Sequence, residues 1–121
     1  MSPIEVQKMV NNNENWADVR SRFLTNFPPS FHTDKEVELL NLCRASKQLR
    51  QLIPFISLGR LGLWRYDAYE RGLADDFVCL YYYDFQYVAS DISNDKKRFF
   101  DTSEAVITFV KQHINDENPF Q

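Results

Sequence analysis

An α+β fold is what this sequence predicts: N-terminal helices, a small antiparallel β-meander of about three strands, and a C-terminal helix packed on the sheet. Three observations carry that expectation. Apolar residues recur at helical spacing as far as Ile53. From Phe55 they alternate in short runs broken by glycines and aspartates. After Thr102 the helical spacing returns. The chain has 121 residues, the size of one domain. The expected layout is a helical part over 1–54, the sheet and last helix over 55–115, and a frayed tail over 116–121.

Each element has a local reason. Ser2, Pro3 and Glu5 make a helix start, with Pro at the first helical position and Glu completing a capping box. "NNN" at 11–13 stops or kinks that turn. A second helix fits 14–26, where Trp16, Val19, Phe23, Leu24 and Phe27 share a face. "FPPSF" ends it, because prolines lack the donor a helix needs. Thr33 and Glu36 form another capping box, opening a helix over 34–52 that bends near Ser46 and stops at Pro54. "FISLG" then reads as a turn before a strand near 61–66, and 67–75 as a loop. Strands follow at 76–83 and 86–91, joined at Asp84 and Phe85 by a turn without the usual Asn-Gly. "SNDKKRF" reads as a polar loop. Asp101 or Thr102 caps the last helix, whose buried stripe runs from Ala105 and Val106 to His113 and Ile114.

Composition narrows the function classes. The chain is 44% hydrophobic and 26% charged, which is globular, and 15% aromatic. Its formal net charge is −3, with no basic face, so nucleic acid is not an expected partner. The run "KKR" at 96–98 lies beside Asp95 and Asp101 and reads as solvated. Cys43 and Cys79 sit among apolar neighbours without metal-site spacing, so both are expected free and buried in a reducing, cytoplasmic setting. "MSPIEVQKMV" is too polar and short for a signal peptide, and no apolar run approaches the ~20 residues of a membrane span. No membrane partner, cofactor or metal is expected.

The order of motifs from Leu49 to Ile114 resembles an uncharacterised bacterial family sometimes labelled "natural product biosynthesis protein". The matching positions are Leu49, Arg50, Leu52, Pro54, Ser57, Gly59 and Leu61, then Asp76, Tyr87 and Val88, then Thr102, Glu104, Ala105 and Val106. After the first strand the chain carries "DAYERGL" where that family has a Cys-Thr-Gly-Tyr-Pro-like stretch. The resemblance covers about half the chain and implies a fold, not a chemistry.

Residue type and spacing sort the candidate sites. Asp75, Asp76, Asp84 and Asp91 bracket the strands, where aspartate serves turns; no Asp-rich calcium loop is spelled. His32 reads as exposed and His113 as a helix C-terminal cation. "GRLG" lacks a phosphate-loop lysine, and Ser57 lacks a nucleophile elbow. No catalytic residue is assigned. The stretch "LADDFVCLYYYDFQYVASD" at 73–91 is the most informative. Alternation puts Phe77, Cys79, Tyr81 and Tyr83 on one face, with Val78, Leu80 and Tyr82 on the other, against the helices. Tyrosines on the first face are either core or partner-binding, and both remain open. With Arg and Trp nearby, the expected binding set is Trp64, Arg65, Tyr66, Tyr69, Asp76, Tyr81, Tyr83 and Asp84. The expected function is a small non-enzymatic protein-interaction module. One version is an immunity or inhibitor protein that meets a basic partner with acidic side chains around an aromatic patch. The alternative is a ligand-binding or enzymatic accessory of a bacterial biosynthetic pathway, with a pocket between sheet and helices.

Overall fold

The computed structural model describes residues 12–28, 31–65, 77–91, 94–116 and 119–120. The described elements run α1 (Asn12–Asn26), α2 (Thr33–Ala45), a 3-10 turn (Leu49–Gln51), β1 (Ile53–Ser57), β2 (Arg60–Trp64), β3 (Val78–Tyr83), β4 (Gln86–Ser90), β5 (Lys97–Phe100) and α3 (Ser103–His113). The fold is α+β. The expected helix start at Ser2 and the loop expected over 67–75 lie outside the described residues.

Among the described residues the sheet has five strands in sequential order, all antiparallel, rather than about three. Both added strands are edges, and each has a physical reason for escaping a pattern search. β1 contains Pro54, which reads as a terminator. Ser57↔Arg60 closes a two-residue hairpin, so Phe55 and Ile53 bond to β2 while Pro54 and Ile56 turn their backbones outward. A missing donor costs nothing at that position. β5 is the "KRFF" of the expected loop, with Lys97, Arg98 and Phe99 exposed. An edge strand carries charge as a matter of course, which hides its strand character.

The helices cover one sheet face. Leu61, Leu63, Val78, Leu80 and Ala89 point to them and join Trp16, Phe23, Leu39, Leu40, Cys43, Val106 and Val110 in one core. Leu24, expected on the buried stripe of α1, is exposed. Trp16 Nε1–H donates to the Arg50 carbonyl at 2.9 Å, tying α1 to the 3-10 turn.

α2 stops at Ala45, short of the expected 52, because Ser46 leaves helical geometry and its Oγ accepts the Leu49 amide. The expected capping box at its start does not form. His32 is the N-cap in a left-handed conformation, and Thr33 Oγ1 donates to the Pro28 carbonyl instead. Glu36 faces the core. Thr102 does cap α3, its Oγ1 accepting the Ala105 amide at 3.1 Å. The tail expected to fray folds back at Pro119 and Phe120: Phe120 is buried against Phe109, and its carbonyl accepts from Arg98 Nη2.

Candidate functional site

The two tight hairpins of the sheet are Leu58–Gly59, between β1 and β2, and Asp84–Phe85, between β3 and β4. In an up-and-down meander, alternate turns leave from the same end, so these two project together. Both turns need positive φ at both central residues, which glycine and asparagine adopt readily. Here Leu58 has φ 52°, Gly59 77°, Asp84 52° and Phe85 64°. Leucine and phenylalanine thus occupy left-handed positions at a local cost of roughly 1–2 kcal/mol each. They gain no burial in return: Leu58 is 92% and Phe85 86% exposed.

Neighbouring rings extend the patch. Tyr83 is 66% and Phe31 53% exposed. Phe31 and Phe27 lie against Gly59, and a ladder of tilted rings runs from buried Phe23 through Phe27 to Phe31, with centroids 5.8 and 5.7 Å apart. α2 begins at this end, since the His32 ring meets Tyr82 edge-on at 5.3 Å. Asp34 and Asp84 are exposed there, with no ion pair to another described residue.

Glu36 fixes the base of the patch. Its carboxylate, 2% exposed, accepts the Leu61 amide at 3.1 Å, beside the last paired residues of β2 and β3. Burial pushes its pKa well above the ordinary value; the Leu61 amide and Arg60 pull the other way. Beneath the tips, Tyr87 donates to Glu38 Oε1, and Lys35 Nζ lies over the Tyr82 and Tyr87 rings at 5.1 and 5.8 Å.

The five described residues of the expected binding set separate into two groups. Tyr83 and Asp84 are at the tip and exposed. Tyr81 shares Tyr83's face but is 6% exposed, lies under Arg60 at 4.0 Å, and donates its hydroxyl to Asn94 Oδ1. It is a structural ring. Trp64 stacks on Phe55 at 4.1 Å, and Phe55 in turn covers Gly62, where a side-chain Cβ would collide with the ring. Arg65 sits over the Phe77 ring at 4.5 Å and donates to the Ile114 carbonyl, so it ties the sheet to the end of α3. Tyr66, Tyr69 and Asp76 lie outside the described residues. Leu58, Phe85 and Phe31 were not in the expected set. The available signal was a large apolar residue inside a two-residue turn, where it has no core partner.

Both cysteines are free and buried. Among the described residues no three His, Cys, Asp or Glu side chains converge as a metal site. No helix there is long and apolar enough to cross a membrane. A cavity of about 380 Å³ opens between α2 and α3, lined by Leu42, Ser46, Glu104, Ile107 and Lys111 among others. No family model matches the chain, and comparison with curated proteins and with solved structures found no significant similarity.

Proposed function

We propose that this chain is a non-enzymatic protein-interaction module that engages a basic partner protein through its hairpin tips. The single observation behind this is the pair Leu58 and Phe85, two large apolar side chains held in unfavourable backbone positions and left in water. Scattered exposed hydrophobes are ordinary; a group of them at one end of a sheet suggests a contact surface. Asp34 and Asp84 beside it fit a cationic partner and would speed its approach. An immunity or inhibitor protein acting on a basic toxin or nuclease is one form such a module takes. The alternative reading, a ligand-binding or enzymatic accessory of a biosynthetic pathway, calls for a tyrosine-lined pocket with converging carboxylates. The cavity between α2 and α3 has no tyrosine in its lining and lies away from the tips.

The test uses the double variant Leu58→Asn, Phe85→Gly. It installs Asn-Gly and Asp-Gly, the residues such turns prefer, so the fold should hold or gain stability, by at most the roughly 1–2 kcal/mol of strain relieved at each turn. Binding should fall by ~2 kcal/mol or more, roughly thirtyfold. Quantitative capture from native lysate with wild type and variant, beside thermal melts, reads both. A protein retained by wild type and released by the variant is then titrated in rising salt, where affinity should drop. Identical capture by both forms would refute the proposal.

A further inference from the structure

A separate surface of the molecule is the edge of β5, the last strand of the sheet, which has no strand beyond it among the described residues. Asp91 N–H donates to the Lys96 carbonyl at 3.0 Å, which sets the phase of the β4–β5 ladder. Alternate pairs, Ala89↔Arg98 and Tyr87↔Phe100, are then the bonded ones. Lys97 and Phe99 turn their backbone groups away from β4. The Lys97 carbonyl is taken by Arg98 Nη1. That leaves the Lys97 N–H and both backbone groups of Phe99 without partners among the described residues. The side chains sort by face. Phe99 pairs with Val88 and Lys97 with Ser90, on the face away from the helices. Phe99 is 55% exposed, and the Lys96 and Lys97 side chains are exposed with no ion pair to a described residue.

We infer that β5 accepts an added strand from a partner's extended acidic segment, carrying a carboxylate opposite Lys97 and an apolar side chain opposite Phe99. Main-chain bonds to Phe99 and Lys97 supply the pairing, and the cross-strand neighbours supply the choice of sequence. Charge selects against the alternative occupant. A second copy pairing antiparallel about Lys97 or Arg98 would set cation against cation, and like charges directly opposite destabilise a ladder; pairing about Phe99 would overlap only Arg98, Phe99 and Phe100 of β5, with Lys97 opposite Asp101 beyond the strand. The lysines that deter self-pairing are those that would draw an acidic strand.

The probe is a blocked hexapeptide with valine and glutamate two residues apart, Thr-Val-Thr-Glu-Thr-Thr, so that both fall on one face, and its counterpart with lysine in place of the glutamate. Amide exchange by NMR should show Lys97 and Phe99 fast in the free protein, with Arg98 and Phe100 protected. Saturation with the glutamate peptide should protect Lys97 and Phe99 and leave the hairpin tips unmoved. Lys97→Glu should weaken that peptide about tenfold and favour the lysine one. N-methylating the glutamate peptide at the amide facing Phe99 should abolish binding without any change to the protein. The inference fails if neither peptide binds, if both bind wild type equally, if protection appears elsewhere, or if Lys97 and Phe99 become protected by raising protein concentration alone. None of these outcomes depends on the hairpin tips, so the two surfaces stand or fall separately.

Discussion

Glu36 is a residue whose spacing from Thr33 spells a capping box and whose side chain goes to the core instead. Its partner is the Leu61 amide, 25 positions away. Because burial raises its pKa, the native state holds the proton more tightly than the unfolded chain does. The sign follows: stability from this group is fully present below the unfolded pKa and is lost as pH rises through the raised native one. Glu36→Gln keeps an acceptor for Leu61 and cannot ionise. Wild type and variant should unfold alike below about pH 4, and the variant should become the more stable as pH climbs from there. Urea titrations of both proteins between roughly pH 3.5 and 8 check this. A variant that is less stable at neutral pH, with an unchanged slope against pH, would mean the carboxylate is held ionised without cost.

Elements are decided by what lies beside them. β1 tolerates Pro54 only because it is an edge, and α2 ends at Ser46 because a serine hydroxyl captures the next turn's amide. The C-terminal residues look polar and unstructured in isolation, yet Phe120 completes a ring cluster with Phe109 and Phe100, at 5.7 and 5.4 Å from Phe109. Arg98 then clamps the Phe120 carbonyl from β5. Phe120→Ala should therefore cost about 3 kcal/mol, the scale of a buried phenylalanine truncation, far above the near-zero effect of a change in a frayed tail. Denaturant midpoints of the two proteins separate these values.

At the scale of the whole molecule, the layered core sets how reachable its thiols are. Burial pushes Cys43 up to about 12 and Cys79 up to about 11, against pulls from Lys111 and Arg60 respectively. Neither is a nucleophile near neutral pH, since the thiolate is the reactive form. Both should react with an alkylating reagent only as the fold opens, and Cys79 should be the faster of the two. Mass spectrometry of timed labelling, native and in denaturant, reads the rates. Prompt native labelling of Cys43 would show that the helical layer opens locally, well short of global unfolding.

How much was legible depends on whether the determining interaction is local. Alternation placed Tyr82 toward the helices and Tyr81 and Tyr83 away from them, and the structure agrees, because side-chain direction in a strand has a fixed period of two. Thr102 declared α3 for the same reason: a cap bonds three residues away. Nothing local distinguishes Tyr81 from Tyr83, which share a face yet differ from 6% to 66% exposed. Their fates diverge because one lies inside the ladder under Arg60 and the other beside the turn. Nor does the sequence say that Leu58 and Phe85, 27 positions apart, belong together. The order β1-β2-β3-β4-β5 does, by sending both hairpins out of the same end. Periodicity and capping are properties of a few consecutive residues and can be read along the chain. Exposure and adjacency are properties of which strands are edges and which turns share an end, and only the assembled sheet decides those.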